Sequence, residues 1–232
     1  MSFKAKSDYY GLSAQAENLV LTSTTENRSA SVAEAKGEDG FVVATEMYGE
    51  VSAPSCEYVV KGDVALSSIK IGTVTVIDEH SFCLSSLSFS TSAGAAPTAS
   101  ASGQQVEDGA KVACTCTLPA ITMDGLHHAQ TFGAFTISGT GAHLTQSTLN
   151  VNGTVSTATK DGEIIAHDIT DVRLEVSGTI QVSDATYSAP TVALAEGWLM
   201  TSPLSETNPD GDFPTYAFTA TKFLTSDTSA AA

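Results

Sequence analysis

The longest clean alternation of apolar and polar positions runs through Ile164–Ser183. From Val172 onward, Val172, Leu174, Val176, Gly178, Ile180 and Val182 fall on one side of an extended backbone. Arg173, Glu175, Ser177, Thr179 and Gln181 fall on the other. Successive side chains of a strand point to opposite faces, so the pattern predicts a long strand with one buried and one wet face. Its centre, Ser177-Gly178-Thr179, has near copies in Ile137-Ser138-Gly139-Thr140, Val151-Asn152-Gly153-Thr154 and Ile71-Gly72-Thr73-Val74. Further strands are predicted at Phe41–Met47, Ile69–Ile77, Phe82–Ser90, Thr98–Ser102, Lys111–Leu118, Ala134–Gly139, Leu144–Thr157 and Thr215–Leu224. In Phe82–Ser90 the alternation slips between Ser86 and Leu87, as at a β-bulge. A hairpin is expected from Tyr58-Val59-Val60 through the turn Lys61-Gly62-Asp63 into Val64–Leu66.

Helical periodicity is sparse. Ala14–Leu21 could form about two turns, Ser29–Ala35 another short piece, and Leu126–Phe132 a stretch around His127–Thr131. Lys36–Gly40, Ala93–Pro97 and Lys160-Asp161-Gly162 read as turns, and Gln104–Ala110 as an acidic loop. Tyr48–Glu57, with Gly49 and Pro54, reads as a loop or edge strand. Ser202–Pro214, rich in proline and acids, reads as an exposed loop. Turn signals recur about every ten residues, which predicts a mainly β fold. The expected architecture is an antiparallel β-sandwich or barrel with one short helix and extended arms or loops. Residues 1–232 are expected as a single domain, with 1–36 an N-terminal arm and 226–232 a flexible tail.

Composition narrows the function. A hydrophobic fraction of 42% suffices for a core, while only 16% of residues are charged. The 26 acidic against 10 basic residues leave a net charge of −16. A nucleic-acid reader needs a basic face, so that class is disfavoured. A wall past which nucleic acid slides without sticking remains compatible, because an acidic surface repels phosphate. The first residues carry charge but no apolar segment, and no apolar run approaches the ~20 residues of a membrane span. The expectation is therefore cytoplasmic synthesis. Asn27-Arg28-Ser29 and Asn152-Gly153-Thr154 are then chance glycosylation matches, and Cys56, Cys83, Cys114 and Cys116 are free thiols acting as small hydrophobes.

Local chemistry is thin. Cys114-Thr115-Cys116 has a spacing of one inside a predicted strand, where structural zinc pairs usually need two to four on a turn. It reads as two small residues sharing a sheet face. His127 and His128 are adjacent, so on a helix their rings diverge, and nothing local joins them to His143 or His167. No Gly-x-Ser-x-Gly elbow and no phosphate loop occurs. Asp161-Gly162-Glu163 and Asn208-Pro209-Asp210-Gly211-Asp212 look like calcium loops, but the position of the distal glutamate is Thr219. Both read as acidic turns. No local carboxylate pair suggests glycoside hydrolysis, and the single Trp198 gives little sugar platform. No catalytic, cofactor-binding or metal residue is nominated, and no enzyme or cofactor is expected.

The order of segments resembles tail tube (major tail) proteins of long-tailed bacteriophages. The features are the N-terminal arm, the Ser/Thr-rich strand pair broken at Ala93-Gly94-Ala95-Ala96-Pro97, and the short stretch near His127–Thr131. The turn-plus-strand from Asp161 to Asp168 and the ending Phe213–Leu224 complete the likeness. The resemblance implies a β-sandwich or barrel flanked by a helix, a virion location, and a homo-oligomeric ring, usually a hexamer, that stacks through loops and arms. It further implies contact with other tail proteins, DNA only in transit through an acidic lumen, and no membrane partner. Glu175 and Gln181 are candidate lumen residues. Other virion roles (capsid decoration, connector, baseplate) share this composition. A carbohydrate-binding or adhesion β-sandwich and an enzyme on a β scaffold are the competing classes.

Overall fold

The computed structural model of the chain describes residues 7–38, 40–106, 116–120, 122–123, 128–160, 163–183, 188–208 and 212–224. Short elements open the chain: α1 (Leu12–Gln15) precedes β1 (Leu19–Lys36) and β2 (Val42–Val60). Then come β3 (Val64–Ala65), a 3-10 turn at Leu66–Ser68, β4 (Lys70–Ile71), β5 (Val74–Ile77), β6 (His80–Ser92) and β7 (Thr98–Val106). The second half holds β8 (Cys116–Thr117), β9 (Thr122–Met123), β10 (Phe135–Ser138), β11 (Ala142–Lys160), β12 (Glu163–Val182), β13 (Thr191–Leu194), β14 (Leu199–Thr207) and β15 (Thr215–Phe223). Among the described residues the fold is mainly β and antiparallel.

Nine strands make one sheet in the order β1-β2-β7-β6-β11-β12-β15-β14, with β5 also on β6. β3 pairs with β9, β4 with β8, and β10 with β13. Away from the start of β6 buried positions alternate along the strands. Leu87 and Phe89, Leu149 and Val151, Leu174, Val176 and Ile180, and Phe218 and Ala220 are all buried on one face. The short elements cover that face. Phe135 of β10 meets Phe218 edge-on at 4.8 Å between ring centroids, and Leu12, Leu66, Ile69, Ile71, Met123 and Phe132 fill the same core.

Buried polar groups pin this covering layer. Thr91 and Ser147 are buried and share a 2.8 Å hydrogen bond. Both hydroxyls accept from the Gln130 amide, and Ser147 donates to the Gln130 carbonyl at 2.6 Å. The described segment ahead of β10 is thereby held at Gln130 without regular structure. At the N-terminus, Asp8 accepts from the Ser13 amide at 2.8 Å and from the Tyr58 hydroxyl at 2.6 Å.

Two devices split the sheet at one end. Pro54 has no N–H, and the β2–β7 ladder runs only from Ser55↔Ser102 to Val59↔Thr98. Where it stops, the buried Tyr10 hydroxyl donates to the Pro54 carbonyl at 2.5 Å. Gly103 lies beside this wedge, and a Cβ there would sit 1.9 Å from the Cys83 carbonyl. On the other side of β6, β11 pairs only with Ser86–Ser92, and β5 takes the same edge at His80–Cys83. β11 therefore departs at Asn152. The turn-off is a bulge in which Asp171 has φ +53° and the register jumps from Asn152↔Arg173 to Thr154↔Thr170. The consequence is two free ribbons, the outer parts of β1–β2 and β11–β12, leaving the same end of the sheet.

Several expectations are corrected. Helical turns at Ala14–Leu21 and Ser29–Ala35 reduce to Leu12–Gln15. Ser29–Ala35 lies within β1, where its ladder with β2 decides the conformation and short Ala-rich stretches have no strong preference of their own. The N-terminal arm of 1–36 is therefore half sheet. Of the two readings for Tyr48–Glu57 the loop fails and the strand stands: it is the middle of β2, and as far as Pro54 β1 is its one partner among the described strands. Val64–Ala65 pairs with β9 rather than returning on Val60. Ile69–Ile77 breaks into β4 and β5 at Gly72, whose φ is +95°. Ser202–Pro214 is not simply a loop, since Leu199–Thr207 is the edge strand β14. Residues 128–134 form bends and turns rather than a helix. Leu126, His127, Cys114, Asp161, Gly162, Asp210 and the tail 226–232 lie outside the described residues. The slip in Phe82–Ser90 is a β-bulge, with the register shift between Leu84 and Ser86.

Candidate assembly surfaces

The wet face of the sheet is broad and hydroxylated. Register brings Ser100, Ser88, Asn150, Glu175 and Thr221 into one row across five strands, and Thr98, Ser90, Thr148, Ser177 and Thr219 into the next. Ser86 and Ser88 donate to the amide oxygens of Asn152 and Asn150, each at 2.7 Å, so the cross-strand pairs are locked. The charged groups paired within this face, from β2 to β15, are Glu57, Glu175 and Arg173. Arg173, Glu175, Ser177, Thr179 and Gln181 do share it, as the alternation predicts. It is a surface of hydroxyls more than of carboxylates.

The β1–β2 ribbon is different in kind. Beyond Ser52 none of the described elements covers it, and its tip displays apolar side chains: Phe41 is 73% exposed, Met47 71%, Val43 67% and Val32 55%. Val32 and Met47 are cross-strand partners, so these groups form a stripe rather than a scatter. Glu34, two residues from Val32 along the strand, shares that face by alternation. The ribbon's foot is fixed by Glu26, which accepts from Arg28 at 2.9 Å, Ser52 at 2.9 Å and Tyr9 at 3.3 Å. The hydrogen bonds from Arg28 and then Ser52 hold the Glu26 carboxyl below its ordinary range.

A second apolar cluster sits on the opposite edge, at the same end. Leu199 opens β14 and Phe223 closes β15; they are 63% and 66% exposed. Beside Phe223 lies a cavity of about 320 Å³ lined by Asn152, Gly153, Thr154, Asp171 and Arg173. Among the described residues Arg173 enters no salt bridge. The outer edge of β14 is interrupted by register shifts on either side of Ser202, with Pro203 in the irregular stretch. Such an edge is poorly suited to continuous strand addition.

Among the described residues no group of three or more His, Cys, Asp or Glu side chains could hold a metal ion. His128 lies before β10, His143 bonds the Gly141 carbonyl and Gln181, and the backbone of His167 pairs with Thr157 in the outer ribbon. Asp212 caps its own neighbour, accepting from the Phe213 amide at 2.8 Å, and Thr219 faces outward on β15. Trp198 is buried, not a platform. Cys56, Cys83 and Cys116 are buried free thiols, and burial pushes Cys83 up to about 11, which makes it a poor nucleophile. Burial also raises Tyr10 and Tyr58. The exposed stripe on the ribbon was missed by sequence reading. The signal was present in Phe41-Val42-Val43 directly after the turn Lys36–Gly40, but apolar residues are by default assigned to a core. No helix among the described residues is long and apolar enough to cross a membrane. No protein-family model matches the chain, and no curated protein matches it significantly.

Proposed function

We propose that this chain is a structural virion subunit that assembles with copies of itself into stacked rings forming a phage tail tube, with DNA passing through the lumen. The observation that carries the reading is the β1–β2 ribbon. Among the described residues its outer part has no third strand and no cover; such a two-stranded ribbon is marginal in water, and an exposed apolar stripe marks a contact surface. A subunit whose stripe is covered only in the assembly accounts for both. The hydroxylated face supports a lumen role for Glu175 and Gln181. Its single paired cation gives phosphate little to hold, and the overall charge of −16 adds repulsion. Negative-stain microscopy and light scattering of the purified chain test the reading. Rings or tubes are expected, and a strict monomer at every attainable concentration would sink it.

A second reading, a carbohydrate-binding module, is favoured by the cavity at Phe223. There an exposed aromatic ring sits beside Asn152, Asp171 and Arg173, which together supply hydrogen-bond donors and an acceptor. Calorimetric titration with neutral and acidic oligosaccharides separates the two. Saturable binding by a monomer, abolished by Phe223→Ala, favours the module.

A further inference from the structure

We infer that the cavity beside Phe223 selects saccharides that carry a carboxylate. This rests on the carbohydrate-binding reading of that cavity and names its class of ligand; it makes no use of the assembly reading. Register builds the site. Asn152, Arg173 and Phe223 are direct cross-strand partners on β11, β12 and β15, so their side chains stand side by side on the wet face. Theirs is the last row before the strands part. The β12–β15 ladder ends at Arg173↔Phe223, and β11 and β12 turn away through the bulge at Asp171. The hollow left there, about 320 Å³, is also lined by Thr154 and Asp171.

Each lining group keeps a capacity that the chain leaves unused. Ser86 donates to Oδ1 of Asn152 at 2.7 Å, and the Nδ2 hydrogens of that amide have no acceptor among the described residues. The Arg173 side chain is exposed and enters no salt bridge among the described residues, although Asp171 and Glu175 lie two positions before and after it in β12. Its planar fork matches a carboxylate with two parallel hydrogen bonds. Phe223 offers a flat apolar face to the C–H side of a sugar ring, and Asp171 offers an acceptor to hydroxyls. A neutral sugar would engage Phe223, Asn152 and Asp171 and leave the guanidinium idle. A uronate supplies the partner that Arg173 lacks. The field of the whole chain works in the opposite direction, because a net charge of −16 repels an acid. A preference for the acid must therefore come from a local cation, and Arg173 is the cation that lines the cavity.

The test is calorimetric titration of the full chain with trigalacturonate and with its methyl ester, the same backbone without the charges. Circular dichroism verifies the fold of each variant. The parent should bind the acid on the order of tenfold more tightly than the ester, the effect of one charge-assisted pair. Arg173→Gln should bring the acid down to the level of the ester and leave the ester unchanged, a split that loss of folding does not imitate. Phe223→Ala should weaken both on the order of tenfold, since both lay a ring on the same face. An ester bound as tightly as the acid overturns the inference and leaves the carbohydrate-binding reading standing. An acid preference that survives Arg173→Gln does the same. A parent that binds neither ligand overturns that reading, and this inference with it.

Discussion

β2 contains two proteins' worth of contrast within nineteen residues. From Ser55 to Val60 it alternates buried and open positions, with Cys56, Tyr58 and Val60 in the core. From Val42 to Met47 every residue is exposed although the ladder to β1 continues. The same hydrogen-bonding pattern therefore has two supports. In the inner half, burial of apolar area holds the strand, at about 25 cal/mol per Å². In the outer half only the ladder and its cross-strand pairs do so, and each such pair contributes roughly 0.2–1 kcal/mol. Regular structure is thus not evidence of a core.

The contrast breaks most sharply by truncation. Phe89→Ala, in the inner half of the sheet, should cost about 3–5 kcal/mol in urea unfolding. Met47→Ser, in the ribbon, should change the monomer by less than about 0.5 kcal/mol. Equal losses would show that the ribbon has its own core. Next in size is Gly103→Ala, expected to cost roughly 3 kcal/mol because the added Cβ collides with the Cys83 carbonyl at the split between β2 and β7. Tyr10→Phe should cost about 1–2 kcal/mol by leaving the Pro54 carbonyl without its donor. Hydrogen exchange should then show the ribbon's foot, and not its tip, opening faster.

Alkaline pH sharpens the same division. Cys83, Cys56, Tyr10 and Tyr58 all belong to the inner half, and burial raises each of them in the folded state. A raised group supports the fold fully below its unfolded pKa, about 8.5 for a thiol and about 10 for a tyrosine. That support is lost as pH climbs toward the folded value, which for Cys83 is about 11. Stability should therefore be flat to pH ~8 and fall from ~8.5 upward, losing up to about 1.4 kcal/mol per pH unit for each participating group. A decline that begins below pH 7 would point to other groups. The smallest effect is expected for Arg28→Ala at the exposed ribbon foot, within about 0.5 kcal/mol.

Much of the inner half was legible in the sequence. Val172–Val182 alternates because one face is buried, and the slip at Ser86 and Leu87 betrayed a bulge. What was illegible depends on partners far along the chain. Ser29–Ala35 has no strand signal of its own and is extended because it pairs with Ala44–Val51. Pro54 reads locally as a breaker, yet here it only ends one ladder while the other, to Glu26, continues. Ser202–Pro214 looks like a loop because an edge strand needs apolar residues on neither side. The cavity beside Phe223 was hidden for a related reason: Arg173, Asp171 and Phe223 come together only through the Asp171 bulge and the antiparallel return of β15.

The strand order has a consequence for synthesis. β1, β2, β7, β6 and β5 all precede residue 107, and β11, β12, β15 and β14 all follow residue 141, with the ladder from Ser86 to Ser92 as the only described strand-to-strand joint in the sheet between the two sets. At ribosomal speeds the first set emerges seconds before its partner exists. During that interval β6 waits with one edge bare, a hazard for a nascent chain. Ser86, Ser88, Ser90 and Ser92 make one face of that waiting strand polar, and two of them, Ser86 and Ser88, bond Asn152 and Asn150 once β11 arrives.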